Sequence, residues 1–365
     1  MLEAIISELK KCLDNGQRAA LATIVKVEGS TYRREGVRCL ITEGGRILGI
    51  ISGGCVEKDI FEHALEVMDT GSSKTVNYDF RPADDLLWGL GVGCNGALTL
   101  WIEPFDSTRF PTIAMSIYED LNSRLNCRRS YTAVTVIESN NVCKLPVGTR
   151  FVSDKHDEVF QNFDSMISYI EDREISGVMA KVFVEKVRPR NRLVVFGAGF
   201  DAVPLVKYAK LMHFYVTVVD HRLDFANKQH FPEADEIIHP IKNCYDEIDI
   251  DDTAHYVVMT HNYLIDEQIV RFLLPTSIPY LGMLGPRKRI KRIIDRIAVD
   301  GLTFDSEQME KLHSPAGLDI GAESPEEIAI SILSEITAKQ NQCNGTFLRD
   351  GKGFLHKRSI DIVTQ

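Results

Sequence analysis

Leu2, Ile5, Ile6, Leu9 and Leu13 fall on one helical face and Gly16 stands just past them, so the chain opens with an amphipathic helix closed by a glycine C-cap. The period then changes. Residues 19–27 form a nearly continuous apolar run, 37–41 a shorter one and 46–51 a third, separated by Glu28-Gly29-Ser30 and Glu43-Gly44-Gly45. The pattern predicts three buried strands joined by turns. Ser52-Gly53-Gly54-Cys55 follows the third run, and Val56, Ile60, Ala64 and Val67 then recur at helical spacing up to Gly71. A cysteine therefore sits at a glycine-rich strand-to-helix junction. Further strands are predicted at 74–80 and 97–103, flanking a second glycine-rich stretch, Leu90-Gly91-Val92-Gly93-Cys94-Asn95-Gly96. Ala114, Ile117, Tyr118, Leu121 and Leu125 mark a helix, and 131–137 and 181–187 two more strands.

Arg188-Pro189-Arg190-Asn191-Arg192 reads as a polar, proline-marked linker. Beyond it strand and helix alternate with short connections: strand 192–196, helix 201–212, strand 216–220, then strands near 256–259 and 280–283. That alternation is the signature of a doubly wound parallel sheet. Ser324-Pro325-Glu326-Glu327 is a capping box with proline at the first helical position, and Ile328, Ile332, Leu333 and Ile336 continue it on one face. The expected fold class is α/β: a mixed α/β domain over 1–187, a Rossmann-like doubly wound parallel sheet over 188–340, and a tail over 341–365 that is loosely attached or reaches a partner chain.

Lys plus Arg number 42 and Asp plus Glu 52, a net charge of −10 over 365 residues, opposite in sign to what a nucleic-acid backbone binder needs. No run of 18 apolar residues offers a membrane span, and Glu3 and Glu8 interrupt the segment where a signal peptide would be apolar. A cytoplasmic protein is expected. Eight cysteines without a C-x-x-C pair are too few for a disulfide scaffold, so each is read as a reduced thiol, mostly core or surface filler.

Two regions carry candidate chemistry. Gly197-Ala198-Gly199-Phe200-Asp201-Ala202 gives G-x-G-x-x-A between a strand and a helix: Gly197 for the tight turn, Gly199 for the approach of a pyrophosphate, Ala202 for close packing. Asp220 follows 21 residues after Gly199, where an acid accepts from a ribose hydroxyl. The turn is either a nucleotide or pterin-phosphate site or a structural element that binds nothing. His261, past the fourth strand, is a ligand contact, an acid-base group or a loop cap, and Arg287 with Lys288 and Arg289 is a phosphate-binding cluster or a solvated helix face. In the first half, Cys55 at a helix start is expected to be more reactive than an average thiol, with Gly53 and Gly54 exposing amides beside it. A soft thiolate beside anion-binding amides fits a sulfur-rich, phosphate-bearing ligand or sulfur transfer better than acyl hydrolysis. Cys94 is its partner or a small residue in a tight turn.

The chain resembles the XdhC/CoxI family, accessory proteins of xanthine dehydrogenase and related molybdenum hydroxylases. The resemblance is carried by residues 29–36, 49–57 and 91–96 in the first half, and by 196–199, 219–222, 259–262, 280–285 and 317–329 in the second. It implies a molybdenum cofactor (molybdopterin) chaperone that holds the cofactor while a cysteine desulfurase supplies the terminal sulfur and delivers it to an apo xanthine dehydrogenase-type molybdoenzyme. On that reading Cys55, with Cys94, contacts the metal or carries persulfide, and a homodimer is expected. Three positions depart from the family pattern: Phe200 where histidine is frequent, Asn95 for a glycine and Tyr32 for a proline. An NAD-dependent oxidoreductase with His261 as acid-base residue is the competing reading, and an interaction scaffold with neither site occupied a third.

Overall fold

The apolar run after the first helix is unbroken because both faces of the strand it forms are covered. In the computed structural model, which describes residues 1–29, 31–54, 56–81, 96–153, 167–241, 244, 245, 248 and 250–350, strand β1 (Ala19–Gly29) is the centre of a five-stranded antiparallel sheet. Its neighbours are β2 (Arg38–Thr42) and β5 (Gly96–Phe105), with β3 (Ile47–Leu48) and β4 (Lys74–Asp79) at the edges. Ala20, Ala22 and Ile24 face Ile60, Ala64 and Val67 of helix α2 (Glu57–Thr70). Ala19 and Leu21 face Ile5 and Leu9 of α1 (Leu2–Asn15) and Ile117 and Leu121 of α3 (Pro111–Asn126). Gly16 and Gly71 end α1 and α2 in the left-handed conformation.

The expected third strand over 46–51 shortens to Ile47–Leu48. Gly49 turns the chain away with φ +108, and a Cβ there would lie 2.5 Å from the Arg38 carbonyl oxygen. Ile51 is still fully buried, but as a loop residue packed under α2.

A second antiparallel sheet, in the order β7 (Arg150–Val152), β6 (Tyr131–Ser139), β9 (Val178–Val187), β8 (Tyr169–Ile175), completes the first unit, Met1–Pro189. Val25, Trp101, Ile137 and Phe183 form the apolar seam between the two sheets. Beside that seam lies a buried ionic cluster. Glu185 of β9 accepts from Arg38 Nη2 at 2.7 Å and from Arg124 Nη1 of α3 at 2.6 Å, Arg124 also pairs with Asp120 at 2.9 Å, and Arg150 Nη2 reaches both oxygens of Glu103 at 2.6 Å. Burial would raise the Glu185 carboxyl, but Arg38 and Arg124 outweigh it and hold the group at about 2.

The second unit begins at Arg190. Its six-stranded parallel sheet has the order β12 (Glu236–Ile238), β11 (Tyr215–Val219), β10 (Arg192–Phe196), β13 (Ala254–Val258), β14 (Tyr280–Met283), β15 (Leu312–His313). The order reverses between β10 and β13, which is a Rossmann-type switch point. Helices α4 (Ala202–Leu211) and α8 (Pro325–Gln340) cover one face through Leu205, Ala209, Ile332 and Ile336. The other face is covered by α5 (Tyr263–Leu273) and α6 (Arg287–Val299) through Ile265, Ile269, Ile293 and Ile297. A short α7 (Ser306–Glu310) precedes β15. The capping box of α8 is formed, with Ser324 and Glu327 bonded reciprocally.

No tryptophan follows Pro189 and Trp101 is buried in the seam of the first unit, so tryptophan fluorescence reports on that unit. Glu185→Ala is expected to destabilise that unit by about 3–5 kcal/mol in a urea titration, because Arg38 stays buried without its carboxylate and Arg124 keeps only Asp120. The folded pKa lies below the ordinary 4.5, so this stabilisation is fully present above that pH and fades as pH falls toward 2. Glu185→Gln and wild type should therefore differ at pH 7 and converge in acid; a gap that stays constant with pH would refute the assignment.

Candidate functional site

Glu57 organises the first cysteine loop from inside the helix that follows it. Its Oε1 accepts from Ser52 N–H at 3.0 Å, and its Oε2 accepts from Ser52 Oγ at 2.6 Å and from Val56 N–H at 3.2 Å. Ser52 Oγ in turn accepts from Gly54 N–H and Val56 N–H, both at 3.3 Å. The carboxylate thus ties both ends of the loop together at the positive end of α2, where a negative side chain is favoured. Between these ties Gly53 and Gly54 are exposed, and a Cβ at either would meet no described atom within 4 Å. Gly54 also has φ +113, a conformation that favours glycine. Cys55 and Cys94 themselves lie outside the described residues. Helix α2 starts at Glu57 with Val56 as N-cap, so position 55 directly precedes the cap.

Other thiols fit the filler reading. Cys39 is enclosed and burial pushes it up to about 12, and burial raises Cys12 in the same direction, whereas Cys143 and Cys343 are exposed. Among the described residues no group of three or more His, Cys, Asp or Glu is placed to hold a metal ion.

The motif turn ahead of β2 is explained by the ionic cluster. A Cβ on Gly36, at φ +85, would lie 2.6 Å from Glu185 Oε1, and Arg38 Nη1 donates to the Gly36 carbonyl at 2.8 Å. Glu35 accepts from Val27 N–H at 3.2 Å. This end of the 29–36 motif serves packing, a role the local sequence does not announce.

In the second unit the structure gathers four of the expected residues, Gly197, Gly199, Asp220 and His261, at the carboxyl ends of β10, β11 and β13. Gly197 turns with φ +109, and a Cβ there would collide with the Met259 carbonyl. Asp220 is 2% exposed; its Oδ2 accepts from Ala198 N–H at 2.8 Å and from Arg222 Nη2 at 2.7 Å, and its Oδ1 from Arg222 N–H at 2.9 Å. Burial would raise its pKa, yet the Arg222 and Ala198 bonds leave it below the ordinary aspartate value. His261, left-handed at φ 58, places Nε2 2.7 Å from Oδ2 of Asp201, the N-cap residue of α4. Sequence reasoning passed over Asp201, although its place beside the second fingerprint glycine was the available signal. Arg287 is exposed at the start of α6; it is Arg289 that is committed, donating to buried Asp266 at 2.5 and 2.9 Å.

The family model described as "XdhC and CoxI family" matches residues 12–79, and that described as "XdhC Rossmann domain" matches residues 193–336. A Bacillus subtilis protein named as a probable xanthine dehydrogenase subunit is 34% identical over 329 residues, 90% of this chain and 95% of that protein. Molybdenum cofactor insertion chaperone PaoD of Escherichia coli is 22% identical over 90% of this chain and 85% of its own length. The crystal structure of a xanthine dehydrogenase from Bacillus halodurans superposes with a TM-score of 0.72 at 31% identity, covering 93% of this chain and 96% of that one.

Glu57→Ala removes the clasp of the cysteine loop. A loss of about 1.4 kcal/mol, modest for bonds to a charged acceptor, lets the loop open about tenfold more often. Native-state hydrogen exchange should show the Ser52 and Val56 amides, which donate to Glu57, exchanging about tenfold faster in the variant, with the amides later in α2 unchanged. An unchanged rate at both amides means that the clasp does not restrain the loop.

Proposed function

The chain belongs to the XdhC and CoxI family, and from that premise we propose that it is a cytoplasmic accessory protein that carries the molybdenum cofactor as cargo. It holds the cofactor while a cysteine desulfurase supplies the terminal sulfur, then inserts it into an apo xanthine dehydrogenase-type enzyme, working as a homodimer. The observation that carries this reading is the clasped loop of the first unit. Ser52 and Glu57 fix its two ends, while Gly53 and Gly54 are exposed and a Cβ at either would meet no described atom within 4 Å. A soft thiol at position 55 suits a sulfur-ligated metal, whereas the Ser52, Gly54 and Val56 amides beside it are committed to Ser52 Oγ and Glu57. Cys55 is assigned the contact to molybdenum or the persulfide, with Cys94 as its partner from the second glycine loop.

The names of two relatives support the reading: one is called a molybdenum cofactor insertion chaperone, the other a probable component of xanthine dehydrogenase. No helix among the described residues is long and apolar enough to cross a membrane. The oxidoreductase reading is not favoured. It needs a dinucleotide in the Rossmann turn, where Asp220 has spent its oxygens on Ala198 and Arg222 and the Asp201 carboxylate lies against Gly199.

Anaerobic co-elution tests the proposal. Wild-type protein produced with an active cofactor pathway should carry pterin in near-stoichiometric amount, scored by fluorescence after oxidative release, and Cys55→Ala should lose it while keeping its tryptophan-monitored urea midpoint. Protein that elutes free of pterin, or a variant that retains it in full, overturns the assignment.

A further inference from the structure

The places a dinucleotide uses in a sheet of this kind are filled here by the chain's own side chains. The Asp201 carboxylate folds back against Gly199, so that a Cβ on that glycine would collide with Oδ1, in the space a fingerprint glycine keeps clear for pyrophosphate. Its negative charge already stands at the N-cap of α4, where an incoming phosphate would look for unopposed amides. Oδ2 is fixed by His261 across the switch point. Asp220, the expected ribose acceptor, is bonded to Ala198 and Arg222, which commits the nearest cation as well. A pyrophosphate entering this turn meets two carboxylates and an arginine that is already paired.

What the mouth still offers is an acceptor beside a ring. Among the described residues Asp201 Oδ1 has no donor. Phe200, next to it, is 73% exposed, and its ring is braced by Phe225 at 6.1 Å and by His230 at 5.8 Å between centroids. Arg222 lies over the Phe225 ring at 4.5 Å and stiffens the brace. A phenyl ring braced by two neighbours and still 73% exposed offers a stacking surface, and a carboxylate oxygen beside it accepts only from N–H or O–H groups. We propose that the mouth of the parallel sheet takes a flat, uncharged heterocycle by its N–H edge, with Asp201 accepting and Phe200 stacking, and excludes dinucleotides. The choice of a pterin ring as that heterocycle rests on the cofactor-carrier reading above; the exclusion of dinucleotides does not.

Calorimetric titration of the full-length chain with 2-amino-4-oxopteridine and, separately, with ADP-ribose tests this. Wild type should bind the pteridine, and Phe200→Ala and Asp201→Asn should each weaken it by about tenfold, while Phe200→Tyr retains it. ADP-ribose should give no binding heat up to about 1 mM. Absence of pteridine binding, affinity indifferent to both Phe200→Ala and Asp201→Asn, or clear ADP-ribose binding to wild type each overturns the proposal. Co-elution of intact cofactor separates this from the carrier reading: retention that depends on Cys55 without any pteridine binding sinks the mouth site alone, and pteridine binding without retention sinks the carrier alone.

Discussion

A carboxylate nearly shut off from water must find its solvation inside the protein, and Glu185, 8% exposed, finds it in two arginines that belong to different elements. Arg38 comes from the central sheet and Arg124 from the helix that covers it, whereas Glu185 itself belongs to the second sheet. Desolvating these three charges is costly, and their mutual attraction in fixed geometry, with Asp120 on Arg124, offsets that cost. The arrangement therefore demands that sheet, helix and second sheet occupy one mutual position. Even the glycine of the preceding turn follows from it, since Glu185 Oε1 occupies the place of any side chain at Gly36. Arg150 and Glu103 repeat the same solution nearby.

The cysteine loop hangs from this rigid body by a smaller version of the same principle. Glu57 satisfies Ser52 and Val56, so the flanks of position 55 are fixed through charge-assisted bonds while the two glycines between them stay bare. Fixed flanks beside exposed glycines are what the proposed carrier role requires of this loop. A loop closed by apolar packing would have filled the space over Gly53 and Gly54.

The parallel sheet shows how a fingerprint and its occupant come apart. Gly197 makes the tight turn against the Met259 carbonyl as the motif requires, so this glycine is accounted for by backbone geometry alone. Which ligand approaches is then decided by residues that the fingerprint leaves variable. Here those residues are Phe200 and Asp201, and they set an aromatic face and a negative charge where a dinucleotide brings phosphate.

Local signals in the chain determined α1, α2 and α8 with their caps, the alternation of strand and helix after Arg192 and the glycine turn at 197–199, because helical period, capping boxes and left-handed glycines act over a few residues. The motif blocks were likewise legible as a family pattern. Strand Tyr169–Ile175 was not: it is half-exposed, and its run Glu171-Asp172-Arg173-Glu174 carries no apolar alternation, since β9 supplies its pairing. The early end of β3 depended on the approach of Gly49 to the Arg38 carbonyl. Only tertiary structure decided that Glu185 meets Arg38 across 147 positions, that Asp220 turns inward to Ala198 and Arg222, and that Asp201 meets His261. A charged residue reads the same in sequence whether it faces water, a ligand or a buried partner, and the difference lies in the desolvation that only packing imposes.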